Sequence, residues 1–139
     1  MDTSGALYYL PWPPSTNRIW RSPNRGPLKG RHLLSKEARA YKAEVAAIIA
    51  VQMYEAAVAP MPGRVGVRLV AYPPDRRKRD LDNIIKIVLD SCKGQCFEDD
   101  ANIDRLEVLR GEVLPPGSIE VSVWMIGDED GERAGMSQT

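Results

Sequence analysis

At 139 residues the chain has the length of one domain, and a hydrophobic content of 43% suffices for a core at that size. No apolar run approaches the ~20 residues of a membrane-spanning helix, and two cysteines, Cys92 and Cys96, make no disulfide framework, so a reduced cytoplasmic protein is expected. The formal net charge of zero is divided: residues 1–86 hold 15 Lys/Arg against 7 Asp/Glu, whereas residues 87–139 hold 4 against 12. A polyanion partner for the first half and neutralisation between the halves both fit this asymmetry.

Met1 to Gly5 carry no basic region, and Pro11, Pro13 and Pro14 interrupt the only nearby apolar stretch, so no secretory leader is expected. Ala6 to Trp12 reads as a first strand ended by those prolines. Asn17 to His32 is polar, with Gly, Pro and five basic residues (Arg18, Arg21, Arg25, Lys29, Arg31), and reads as a loop. Ser35 is placed to cap a helix running to about Ala57, with Tyr41, Val45, Ile48, Ile49 and Met53 as its buried stripe and Pro60 and Pro62 beyond its end. Val65 to Ala71 alternates as a strand and stops at Pro73-Pro74. A second helix is predicted from about Asp80 to Ser91, with Leu81, Ile84, Ile85 and Val88 on one face and Gly94 as terminator. Asp104 to Val113 and Ile119 to Ile126 read as strands joined by Pro115-Pro116-Gly117. Residues 127–139 are polar and acidic and read as a disordered tail. The expected fold is a single α/β (α+β) domain over residues 1–126, a small mixed β-sheet with two main helices packed on it.

The chemistry concentrates in Asp75-Arg76-Arg77-Lys78-Arg79-Asp80-Leu81-Asp82-Asn83 and the following Lys86. Lys and Arg neutralise a nucleic-acid backbone, and carboxylate oxygens hold the hard divalent cations that phosphodiester hydrolysis uses. A helix beginning at Asp80–Asp82 adds free backbone N–H groups and the positive end of its dipole. Asp82 and Lys86, four apart, share a face directed away from the apolar stripe, where a lysine can stabilise charge building on a phosphate. Singly, Asp80 as a helix cap, Asp82–Lys86 as a solvated pair and the basic run as an exposed loop are ordinary readings. Their adjacency favours a phosphodiester site. A second acidic cluster, Glu98-Asp99-Asp100, follows the helix and can supply a further ligand.

Three stretches together resemble the RusA family of Holliday junction resolvases: Leu10-Pro11-Trp12-Pro13-Pro14-Ser15-Thr16-Asn17-Arg18, the Asp75–Asn83 run with its Arg-Asp-Leu-Asp-Asn core, and Phe97-Glu98-Asp99-Asp100-Ala101. Order and spacing match over roughly residues 7 to 126. The resemblance implies a RusA-like fold and catalytic residues Asp80, Asp82, Lys86 and Asp100, the three aspartates as metal ligands, with Asp99 in reserve. It further implies Mg²⁺ (with Mn²⁺ as a substitute), branched DNA such as four-way junctions as substrate, a homodimer, and a bacterial or phage-encoded protein. Arg76, Arg77, Lys78 and Arg79 are expected to grip phosphates, with Asn17, Arg18 and Arg21 as weaker contacts. A nuclease for flaps or other branched DNA, a non-catalytic junction binder and a protein-interaction domain are the rival readings. Cys92 and Cys96 lack partners for a zinc site, His32 lacks a partner for base catalysis, and Trp12 is expected to pack rather than stack on bases. Trp20 is open between packing and stacking, and Asp90 reads as a surface residue.

Overall fold

The computed structural model describes residues 5–15, 20, 21, 26, 27 and 33–126, with backbone only for Trp20, Arg21, Leu33 and Leu34. Asn17, Arg18, the Arg21 side chain, His32 and the tail at 127–139 lie outside the described residues. The elements in order are β1 (Ala6–Pro11), β2 (Trp20–Arg21), β3 (Leu33–Leu34), α1 (Lys36–Ala56), β4 (Val65–Tyr72), α2 (Asp82–Cys92), β5 (Ile103–Arg110) and β6 (Ser118–Met125). Four strands form one mixed sheet in the order β1-β6-β4-β5, antiparallel except for the parallel pair β4–β5. The α+β expectation is therefore met. The segment read as a loop contains one strand of a short ribbon, Trp20-Arg21, which pairs antiparallel with Leu33-Leu34 just beyond it. The two last strands do not pair with each other: β4 lies between them.

One face of the sheet builds the core. Tyr8 and Leu10 of β1, Val65, Val67, Leu69 and Ala71 of β4, and Ile119, Val121 and Val123 of β6 are all buried, every second residue along each strand. They join one cluster with Ala38, Tyr41, Val45 and Ile49 of α1 and Ile84, Ile87, Val88 and Cys92 of α2. Helix α1 starts where expected, the Ser35 hydroxyl accepting the Ala38 N–H at 3.1 Å. It ends earlier than its prolines require, because Ala57 turns left-handed (φ 55°) and its N–H reaches back to the last turn. Gln52 of α1 caps the outer edge of the sheet: its amide bonds both the N–H and the C=O of Tyr9, at 3.0 and 2.9 Å. On the opposite face of the sheet, Leu7, Tyr9 and Leu109 are exposed, and the Trp124 ring lies directly over Gly66, so close that a Cβ there would fall 2.3 Å from it.

Helix α2 begins at Asp82, two residues later than predicted, with Leu81 before it and no side-chain cap. Asp80 is therefore not a capping residue. Its buried line runs through Ile84, Ile87, Val88, Ser91 and Cys92, while Ile85 is only half-buried. The face is rotated from the expected stripe because the element α2 packs against most closely is α1, its buried side chains joining the common core. The charged residues of the two halves of the chain meet across β4 and β5: Arg64 pairs with Asp104, and Arg68 with Glu107 at 2.9 Å. Neutralisation between the halves thus accounts for part of the charge asymmetry. It does not account for Arg76 and Lys78, which are exposed and form no ion pair among the described residues.

Candidate functional site

The parallel pairing of β4 with β5 requires a crossover, and residues 73–102 provide it. The basic run leaves the end of β4, α2 crosses behind the sheet, and a turn returns the chain to β5. That return is anchored by Phe97, fully buried, whose carbonyl accepts the Gly94 N–H at 2.7 Å, and by the Met61 N–H on the Cys96 carbonyl at 3.0 Å. Gly94 has a left-handed φ of 81°, which suits the tight reversal after the helix. The anchor sets Asp99 and Asp100 beside the second half of α2.

Asp99 and Asp100 are placed differently. The Asp99 carboxylate caps a short 3-10 turn over Asp100–Asn102, accepting the Ala101 N–H at 3.0 Å. Asp100 has a side-chain oxygen, Oδ1, that is buried with no hydrogen-bond partner. Burial first, then the charges of Asp90 and Asp99, push its carboxyl above the ordinary carboxylate range against the opposing pull of Lys93 and Lys86. Lys86 stands between the groups: Asp82 lies one turn before it, and Asp90 one turn after, with its carboxylate 3.7 Å from the Lys86 Nζ. The ordinary reading of Asp82 and Lys86 as a solvated pair is not met among the described residues; Lys86 pairs with Asp90 instead. Asp90, read from sequence as a surface residue, is half-buried and belongs to this group. Its position at i+8 from Asp82, on the face carried by Lys86, was the available signal.

Asp80 and Asp82 are exposed at the other end of α2. Among the described residues no three of His, Cys, Asp and Glu are gathered closely enough to enclose a metal ion. Asp80 and Asp82 therefore stand near one end of α2 and Asp100 against the other, with Lys86 between. In donor chemistry the set fits a hard divalent cation: the ligands are carboxylate oxygens, one of them buried without any donor. Cys92 and Cys96 are buried, free and hydrogen-bonded to each other, which with burial raises the Cys92 thiol. They supply no zinc site.

The basic run is not uniform. Asp75 ties it down: its carboxylate accepts the Arg77 N–H at 2.9 Å and the Arg79 guanidinium at 2.7 Å. The Arg79 bond first, with the Arg77 N–H, pulls the Asp75 carboxyl down to about 2. Arg79 also lies over the Trp12 ring, 5.6 Å from its centroid, and its carbonyl accepts from Arg110 at 2.8 Å. Arg76, Arg77 and Lys78 remain exposed. Trp12 is held in turn by the Tyr41 hydroxyl, which donates to the Pro11 carbonyl at 2.8 Å. Gly117 approaches it closely too: a Cβ at Gly117 would sit 3.0 Å from both Trp12 and Pro74, and its φ of 94° suits glycine. Between Trp12-Pro13-Pro14-Ser15 and the Arg77–Asn83 segment a cleft of about 380 Å³ opens beside Asp80.

The chain matches the family model of endodeoxyribonuclease RusA over residues 11–123. It is 40% identical over 121 residues to crossover junction endodeoxyribonuclease RusA of Escherichia coli K12 and to the protein of that name from Enterobacteria phage 82, covering 86% of this chain and 94% of each relative. The Shigella sonnei relative of the same name is 39% identical over the same length. No helix among the described residues is long and apolar enough to cross a membrane. Basic run, acidic helix start, Lys86 and Asp100 lie on one crossover, and with the match spanning both this crossover and the Trp12 turn, the chain belongs to the RusA family of endodeoxyribonucleases.

Proposed function

We propose that the chain resolves four-way DNA junctions by paired, symmetric nicks, as a metal-dependent homodimer acting in recombination and repair. The observation that carries this reading is the Asp100 oxygen, buried and unpartnered beside Lys86 on the same crossover that presents the exposed cations. A carboxylate left so in a folded protein is poised for a cation. Asp80 and Asp82, near one end of α2, and Asp100, near the other, are the residues that would hold Mg²⁺ or Mn²⁺, although within the described residues of one chain no three such groups are gathered. Bound there, the ion would polarise the scissile phosphate and activate water. Lys86 faces the negative charge that builds on the phosphate, and Asp90 keeps its ammonium near the acidic group. Arg76, Arg77 and Lys78 hold neighbouring phosphates. The relatives' name, crossover junction endodeoxyribonuclease, supports junctions over flaps. A junction has approximate two-fold symmetry and each chain carries one acidic set, so a C₂ dimer matches substrate to enzyme.

The test is incubation with an end-labelled synthetic four-way junction, with Mg²⁺ and with EDTA, beside a flap and a linear duplex. Mg²⁺-dependent, symmetric cuts confined to the junction are expected. Preferential cutting of the flap would replace this reading with the flap-nuclease one, and binding without cutting under any divalent ion would leave a junction-binding protein.

A further inference from the structure

We infer that the cleft beside Asp80 is a nucleobase pocket: it takes one unstacked base from the strand being cut. This deepens the reading above and rests on it. The cleft's volume of about 380 Å³ falls within the ~300–1,000 Å³ of small-ligand sites, and its lining combines the groups a base requires. Trp12 supplies an aromatic wall and Ile84 an apolar one. Arg79 supplies a guanidinium already fixed by Asp75 and by the Trp12 ring, so little freedom is lost when a planar ring settles against it. Asn83, in the first turn of α2, is exposed, and its side-chain amide has no hydrogen-bond partner among the described residues. An amide there can donate to and accept from the edge of a base. Asp80 borders the same space, so a base lodged there belongs to a nucleotide adjoining the cut, with Lys78 at the rim for its phosphate.

The arrangement gives Arg79 a different task from its neighbours. Arg76 and Lys78 form no ion pair among the described residues and Arg77 only a long one with Asp75, at 3.7 Å, so these exposed side chains can follow a backbone, whereas Arg79 is built into a wall. Unstacking a base costs a few kcal/mol in duplex and less where stacking is already interrupted, as at the exchange point of a junction. A pocket of this kind would therefore favour branched DNA over linear DNA and would set a base preference at the cut.

The experiment uses the full chain in EDTA with four-way junctions carrying a single 2-aminopurine at successive positions around the exchange point. Binding should raise the fluorescence at one position and leave the others unchanged. Trp12→Ala should abolish the rise at saturating protein and weaken junction binding about 5-fold or more, the size of a missing base–aromatic stack. Trp12→Phe should retain most of the rise. In Mg²⁺, Asn83→Ala should bring the cutting rates of junctions with each of the four bases at that position closer together. Junction binding with no rise at any position, or a rise that Trp12→Ala leaves intact, overturns the pocket while leaving the nuclease reading standing. Should Trp12→Ala fail to fold, an unaltered base preference in Asn83→Ala overturns it instead. A chain that binds no junction at all overturns the parent reading and this one with it.

Discussion

Adjacent aspartates 99 and 100 are placed differently, and substitution should separate the duties proposed for them. Asp100→Asn is expected to lower the cleavage rate by at least about 100-fold, the effect of removing a metal-holding charge. In metal-free buffer it should raise the melting temperature, because the charge is removed from a half-buried carboxylate whose Oδ1 has no partner. Asp99→Ala should do the reverse, retaining cleavage while costing roughly 0.5–1 kcal/mol through the absent cap. Thermal melts and single-turnover cleavage of the two variants check the pair. A further expectation concerns acid. The Asp75 carboxyl is held down to about 2 by Arg79 and the Arg77 N–H, below its unfolded value. Its contribution is therefore complete above the unfolded pKa and is lost as pH falls through about 2. Carbon-detected NMR of the Asp75 carboxyl should show it charged down to about pH 3, and Arg79→Ala should move its titration upward. The candidate set was legible as a set, since Asp80, Asp82, Lys86 and Asp100 stand out by type and spacing; its distribution, with Asp80 and Asp82 near one end of α2 and Asp100 near the other, was not. The capping role of Asp99 and the half-burial of Asp90 were not, since each depends on how the chain returns to α2 after Phe97.

The helices and strands follow local signals closely, and their departures have particular causes. Ser35 marks its helix start because capping is an interaction three residues long. The end of α1 comes before Pro60 because Ala57 adopts φ 55°, a conformation that costs an alanine energy. Ala57→Gly should relieve that cost and raise stability by about 0.5–1 kcal/mol, measurable by urea denaturation. The rotated face of α2 was not legible, since Ile85 and Ile87 are equally apolar and only packing against α1 chooses between them. Nor was the β4–β5 pairing, which joins strands separated by a helix. Gly66 shows the same limit: from sequence it is one small residue in a strand, and in the fold it is the floor under Trp124. Gly66→Ala should cost about 1–3 kcal/mol by overpacking, and adding Trp124→Leu should recover part of that stability in a double-mutant cycle.

For the whole molecule, the expected active species is a homodimer. A supercoiled cruciform plasmid should pass directly to linear product, since both nicks fall within one complex lifetime. Sedimentation with and without a junction tests the assembly, and lasting nicked circles would contradict it. Replacing Arg76, Arg77 and Lys78 by Ala should flatten the dependence of log K on log salt by roughly 0.7–0.9 for each phosphate that is no longer neutralised. The distribution of these parts along the chain has a further consequence. Every group assigned to the cutting reaction lies on the single crossover of residues 73–102, whereas the Trp12 wall of the cleft comes from the end of β1. If the cleft takes a base as inferred, the gauge that chooses where the scissors close is assembled from both pieces, Trp12 from the one and Arg79 and Asn83 from the other. Drift in the Trp12 turn would then retarget the enzyme only as far as Arg79 and Asn83, mounted beside the blades, still fit the new base.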